Sequence, residues 1–276
     1  MSMQSRWIHE LKWPEIADYL KRSDIALIPV GATEQHGPHL PLYVDTGWAV
    51  GMAEGAAERA DALIAPPMHY GWGPHHMAYP GTVTLRADTL VQVCMDIGES
   101  LVYHGFKKLV FINGNRAANL PPMEMAVSKL RFQTGAFAAV ADAGLMAKSA
   151  VHDVCDAAEG GLGHAGESET AYTLYRNPEL VDMSLAVDAE HKPGRFTLSH
   201  KPMEPPFDGD SAYVPRTDGD MRRSTEATQG IAGSASLATR EKGERIHQIL
   251  SDALVDFIET HVRPTVVELK DVKIPT

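Results

Sequence analysis

The sequence predicts an α/β fold, a three-layer α/β/α sandwich around a mostly parallel central sheet. Short apolar runs recur at 25–31 (IALIPVG), 62–68 (ALIAPPM), 107–112 (KKLVFI) and 136–141 (AFAAVA). Each has the length and composition of a strand buried on both faces. Stretches with helical spacing lie between them, and that alternation belongs to a parallel sheet covered on both sides. Neither a linker nor an internal repeat interrupts the 276 residues, so one domain over 1–276 is expected.

The first run ends at Gly31, and Asp45 is placed to cap a helix over 46–60 (TGWAVGMAEGAAERA). In 87–104 the apolar residues Leu90, Val93, Ile97 and Leu101 fall three or four apart, as one helix face requires, and Gly105 ends that helix. Asn113-Gly114 closes the third run. A helix over 120–132 would carry Pro121 and Pro122 in its first turn, where a missing N–H is tolerated. Another, over 167–177, stops before Pro178. Near the C-terminus Ile246, Ile249, Leu250, Leu254, Phe257 and Ile258 draw one apolar stripe along a longer helix. Residues 190–225 are rich in Pro, Asp, Gly, Arg and Lys without a sustained period, and read as an irregular loop or arm.

Composition narrows the function. A formal net charge of −11 argues against a surface that tracks nucleic-acid phosphates. No run approaches the ~20 apolar residues that cross a bilayer, and the N-terminus MSMQSRWIHELKWPEI has no signal-like apolar core. Cys94 and Cys155 lie in apolar or helical contexts and read as free thiols. A cytoplasmic setting is therefore expected, with no nucleic acid and no membrane.

Chemistry concentrates where strands should end, which is where open α/β sheets bind ligands. The stretch PVGATEQHGPHLPLYVD (29–45) places Glu34 and His36 two residues apart, on one face of an extended backbone, and brings in Asp45 after a proline-stiffened loop. Two carboxylates and an imidazole suit zinc or manganese. Each residue has an ordinary role as well: a solvated carboxylate, a hydrogen-bonded core histidine, a helix cap. Together, with Pro38 and Pro41 fixing the loop, they favour a metal. His164, Glu167 and Glu169 form a second polar cluster. There Glu167 is the expected further ligand, although a carboxylate opening a helix is also favoured by the dipole. His164 is the expected proton carrier.

These stretches resemble the creatininase family of metal-dependent amidohydrolases. PVGATEQHGPHLPLYVD is similar to the family signature. HHMAYPGTVTL (75–85) resembles its H-x-x-F-P-G-T segment, LVFINGN (109–115) its strand ending in N-G-H, HAGESET (164–170) its H-A-G-E segment, and GIAGSASLATREKGER (230–245) its G-x-x-G…A-T-x-E-K-G segment. The resemblance implies ligand positions at Glu34, His36 and Asp45, with Asp45 bridging, and at Glu167. It also implies a three-layer fold, zinc or manganese, and a homo-oligomer, often a hexamer. One departure stands out. Where the family has N-G-H-G-G-N, this chain reads Asn113-Gly114-Asn115-Arg116-Ala117-Ala118-Asn119. An amide is a poor zinc ligand beside imidazole, so one firmly bound ion per subunit, on His36, Asp45 and Glu167, is expected. Ala117 replaces a Glu found in members acting on creatinine, which argues against that substrate.

The expected activity is hydrolysis of a polar, cyclic carbonyl compound, an amide or a keto-inositol, by metal-activated water. Glu34 would serve as base and His164 would deliver a proton. Arg116 would take part in catalysis or bind an oxygen-rich substrate together with Asn115, His76, Tyr79 and Trp72; a surface ion pair for Arg116 and core packing for the aromatics are the ordinary roles. A ring-opening C–C hydrolase acting on 3-dehydro-scyllo-inosose, a metal-dependent sugar isomerase or lyase, and a non-catalytic binding homologue are the alternatives.

Overall fold

The computed structural model describes residues 4–157, 161, 163–189, 197–199, 211–213 and 215–271. The central sheet holds β1 (Ile25–Val30), β2 (Leu63–Ile64), β3 (Lys108–Asn113) and β4 (Phe137–Asp142) in the order β2-β1-β3-β4, all parallel. The helices are α1 (Trp13–Tyr19), α2 (Val44–Ala57), α3 (Ala87–Tyr103), α4 (Arg116–Thr134), α5 (Lys148–His152), α6 (Glu167–Arg176), α7 (Asp218–Thr225) and α8 (Arg240–Phe257).

Strand periodicity makes the three layers. Ile25 and Leu27 of β1, with Val110 and Ile112 of β3, join a core that includes Trp48 and Met52 of α2, Tyr172 of α6, and Ile246, Leu250 and Leu254 of α8. The alternate residues Ala26, Ile28, Val30, Leu109 and Phe111 face a second core with Leu90, Val91 and Cys94 of α3, Met123, Ala126 and Leu130 of α4, and Tyr19 of α1. Every residue of β1 is buried, as a strand covered on both faces requires.

Several boundaries differ from the sequence expectation, each for a local reason. The second apolar run pairs as a strand only at Leu63–Ile64, because Pro66 and Pro67 have no N–H for the ladder. The chain still follows β1 through Ala65 N–H to Leu27 O (2.8 Å) and Met68 N–H to Pro29 O (2.9 Å). The helix α4 starts at Arg116 rather than residue 120, so both prolines lie inside it. Its first turn is closed by Asn119 N–H to Asn115 O at 3.1 Å. Asp45 lies within the first turn of α2 and Tyr43 takes the cap position, so the Asp45 carboxylate is not used as the cap. Within 190–225 the chain forms β5 (Thr197–Ser199) paired in parallel with β6 (Ser211–Tyr213), and then α7. Thr217 and Asp220 cap α7 reciprocally, at 3.1 and 3.0 Å. The irregular segment is therefore shorter at its C-terminal end than expected; 190–196, 200–210 and 214 lie outside the described residues. Cys94 and Cys155 form no disulfide. Among the described residues no helix is long and apolar enough to cross a membrane.

The chain leaves β1 toward β2 on one side and later returns to β3 on the other. A crevice opens between the carboxyl ends of β1 and β3, the topological switch point of such sheets. Two glycines let α2 press into it. A Cβ on Gly31 would collide with the Thr46 backbone, and one on Gly114 with the Asp45 carbonyl. The first turn of α2, carrying Asp45, therefore sits directly against both strand ends.

Gly114→Ala should lower stability by about 1–3 kcal/mol, as overpacking does, read as a lower denaturant midpoint. A wild-type midpoint would contradict this close approach.

Candidate metal centre

The loop after β1 carries Glu34 and His36 into the crevice. Glu34 N–H donates to Leu42 O at 3.1 Å and Gln35 N–H to Thr82 Oγ1 at 3.1 Å, while Val83 N–H donates to Thr33 O at 2.9 Å. The two motif segments 29–45 and 75–85 thus hold one another. Glu34, His36 and Asp45 are 2%, 0% and 3% exposed, so they act in a dry environment.

His36 Nδ1–H donates to Glu34 O at 3.0 Å, which leaves Nε2 as the ring nitrogen facing inward. That nitrogen lies 3.4 Å from Asp45 Oδ1 and 3.6 Å from Glu169 Oε2. Both His36 Nε2 and Asp45 Oδ2 are buried without a hydrogen-bond partner. Orphaned buried polar atoms are costly, and an imidazole fixed through its other nitrogen to a carbonyl is the usual posture of a metal-ligating histidine. Glu34, His36 and Asp45 bring ligand atoms within 4.8 Å of one another, as do His36, His164 and Glu169, so His36 is common to two donor sets of the kind that hold a zinc- or manganese-type ion.

Glu169, which the sequence groups with His164 and Glu167 without a role of its own, is the glutamate that faces His36. Glu167 was the expected ligand, but the structure turns it away. Fully buried, it accepts from Asp156 N–H (3.0 Å) and Ala157 N–H (2.7 Å) and pairs with Lys242 at the start of α8. Two residues apart on a helix point to nearly opposite sides, so only one of these glutamates can face the crevice. Glu167 shares its face with Ala171, against which Gly243 of α8 packs closely. The signal was available in the sequence: Lys242, in the ATREKG stretch, is the cation that claims Glu167. Glu169 instead accepts from Ala165 N–H at 2.6 Å, in a tight turn where Ala165 has a φ of 53°.

The remaining expected residues divide into two groups. Glu34 meets Asn115, His76 and His164: its Oε2 accepts from Asn115 Nδ2 at 2.6 Å, and its Oε1 lies 3.1 Å from His76 Nε2 and 3.8 Å from His164 Nδ1. His164 Nε2–H donates to Gln35 O at 2.8 Å, so its Nδ1 presents a lone pair to the site. Arg116, Tyr79 and Trp72 are engaged elsewhere. Arg116 lies against Gly144 and the charge of Asp142 at the end of β4, because it follows Asn115 round the first turn of α4. The Tyr79 hydroxyl bonds Thr225 of α7 at 2.9 Å, with Arg222 over its ring. Trp72 packs on the α3/α4 core. His39, also in the first motif, faces Thr170 at 2.9 Å.

Electrostatics fit a cation site. Burial, then the Asp45 charge, drives the Glu34 carboxyl well above its ordinary range. Burial pulls His36 down, but the carboxylates of Asp45, Glu169 and Glu34 outweigh it and hold the imidazole up to about 10. Without an ion, His36 supplies the positive charge this cluster needs. His164 and His76 go the other way, pushed well down by burial and by neighbouring imidazoles.

Residues 9–258 match the family model for creatininase, described as creatinine amidohydrolase. The chain belongs to the creatininase family. It is 31% identical over 284 residues to the creatinine amidohydrolase of Pseudomonas putida, covering 95% of this chain and 99% of that one. It is 28% identical over 276 residues to the 3-dehydro-scyllo-inosose hydrolase of Thermotoga maritima, covering 95% and 84%. A mycofactocin precursor peptide peptidase from Mycolicibacterium smegmatis is 31% identical over 242 residues, covering 85% and 84%. Solved creatininase structures described as an Mn form and as a Zn-Zn type each superpose with a TM-score of 0.74 at 29% identity, over 95% of this chain and 100% of theirs. Family and donor chemistry agree on a metal-dependent hydrolase scaffold.

An ion entering this cluster must displace the proton on His36. Zinc affinity should therefore rise with pH through the neutral range, by about tenfold per unit for one displaced proton. Calorimetry in buffers of different ionisation enthalpy should show about one proton released per ion. No release would place the ion away from His36.

Proposed function

We propose that the protein is a metal-dependent hydrolase of a small, polar carbonyl compound, a cyclic amide or a keto-inositol, working in the cytoplasm as a homo-oligomer. The observation that carries this reading is the pair of orphaned atoms, His36 Nε2 and Asp45 Oδ2, buried beside the Glu169 carboxylate. His36, Asp45 and Glu169 would hold the ion. Bound there, a divalent ion polarises a carbonyl and makes water a nucleophile near neutral pH.

The chain's own groups supply the proton handling. His164 presents an Nδ1 lone pair beside Glu34, and its depressed pKa keeps it neutral at physiological pH. It takes a proton from attacking water and returns it to the leaving group, as base and then acid. Glu34, held by Asn115 and His76, orients that water or shares its proton.

Asn115 supports a single firmly bound ion. Its amide donates to Glu34 Oε2, at the position where the family resemblance implies a histidine ligand. The likeness to an inosose hydrolase keeps a ring-opening C–C hydrolysis as the second reading, and the buried polar lining suits an oxygen-rich substrate.

The test is a screen of zinc- and manganese-loaded protein against lactams, formamides, keto-inositols and short peptides, following product mass. A single product heavier by one water from a lactam or keto-inositol is expected; a mass-neutral product would indicate an isomerase instead, and cleavage of formamides or peptides alone, each into two fragments, would overturn the cyclic substrate class. His164→Gln should lower kcat by about 10²–10⁴ with zinc content unchanged. Asn115→His should raise zinc content from one to two ions per subunit. Two tight ions in the wild-type protein would defeat the single-ion reading.

A further inference from the structure

We propose that Gln35 is a positioning residue that sets the tautomer of His76 and thereby keeps Glu34, His76 and His164 as a hydrogen-bonded group closed to a second cation. The proposal rests on the single-ion reading above but is tested on histidine protonation, so the loss of either can be told from the loss of the other.

The three side chains look like a metal site by proximity. Glu34, His76 and His164 each offer an atom within 4.8 Å of the others. The ring centroids of His36 and His164 lie 4.5 Å apart, of His164 and His76 4.3 Å, and of His76 and His75 4.1 Å, each pair tilted. Proximity does not decide whether an ion binds. That depends on where the imidazole protons sit, because only an unprotonated nitrogen can ligate.

Gln35 decides it. Its Oε1 accepts from Gly37 N–H at 3.0 Å, which fixes the amide orientation and turns Nε2 toward the histidines. That NH₂ has two hydrogens and two acceptors in reach, His76 Nδ1 at 3.1 Å and Gly230 O at 3.3 Å. His164 Nε2 is also near it, at 3.0 Å, but the shorter bond from that nitrogen to Gln35 O, 2.8 Å, makes His164 Nε2 a donor. With His164 Nε2 donating to the carbonyl, the two hydrogens of the Gln35 amide go to His76 Nδ1 and Gly230 O. Gln35 donates to His76 Nδ1, so His76 carries its proton on Nε2 and donates it to Glu34 Oε1 at 3.1 Å. One residue thus sets both rings, His76 through its side-chain amide and His164 through its backbone carbonyl.

The pocket for this amide is closely fitted. A Cβ on Gly230, whose φ is 102°, would run into the Gln35 amide. Reversal of the His76 tautomer would place three acceptors around one point, a set that recruits a cation. With Gln35 in place, Glu34 instead receives two hydrogen bonds, from Asn115 and His76, and no ion is needed there.

The test uses zinc-loaded protein labelled with ¹⁵N-histidine, with His76 and His164 assigned through His76→Gln and His164→Gln. In the wild type both rings should show protonated Nε2 and bare Nδ1. Gln35→Met removes the amide and keeps the carbonyl, so His76 should become a tautomer mixture while His164 stays unchanged. Gln35→Glu should move the His76 proton to Nδ1 and raise zinc from one to two ions per subunit. A wild-type His76 protonated at Nδ1, or a His76 signal in Gln35→Met identical to the wild type, would overturn the proposal. A Gln35→Glu protein with a switched His76 but still one zinc would overturn the closure to a second cation. If Gln35→Met fails to fold, the wild-type and Gln35→Glu spectra decide.

Discussion

The structure turns on one constraint: carboxylates crowded in a dry crevice require positive charge. Glu34 and Asp45 are almost fully buried, and Glu169 leans in over His36. Like charges in low dielectric repel strongly. The chain answers in two ways. Asn115 and His76 stabilise Glu34 with hydrogen bonds, while Asp45 and Glu169 converge on one imidazole nitrogen. A proton on His36 satisfies that convergence when no ion is present. A divalent cation satisfies it better, and brings the Lewis acidity that hydrolysis needs.

The fold exists around this cluster in a specific sense. Parallel strands end together, so loops after β1 and β3 meet at one crevice. Gly31 and Gly114 remove the side chains that would hold α2 away, and α2 brings Asp45. From the other side α6 brings Glu169, and α6 is positioned by the buried pair of Glu167 with Lys242 at the start of α8. That pair ties the start of α6 to the start of α8. Breaking only one partner would strand a buried charge.

Much of this was legible in the sequence because two local patterns carry it. The β1 and β3 runs are apolar at consecutive positions, which only a doubly covered strand tolerates, and the motif after β1 concentrates ligand-type residues at a strand end. Other features depended on partners distant in the chain. Glu167 and Glu169 both look like ligands until helical phase and Lys242 separate them. Arg116 reads as a substrate-binding cation beside Asn115, yet the first turn of α4 swings it to Asp142. Pro66 and Pro67 shorten β2 for a reason visible in the sequence, the missing N–H donors, which the apolar run concealed. The tautomers of His76 and His164 follow only from a network joining residues 35, 37, 76, 164 and 230, and no local pattern announces it.

The most direct test of the central claim is anomalous diffraction from crystals grown with zinc, recorded on both sides of the zinc edge. The account predicts one strong peak bounded by His36 Nε2, the Asp45 carboxylate and the Glu169 carboxylate, with Glu167 still paired to Lys242. A peak ligated by Glu167, or one centred on Glu34, His76 and His164 with none at His36, would contradict it.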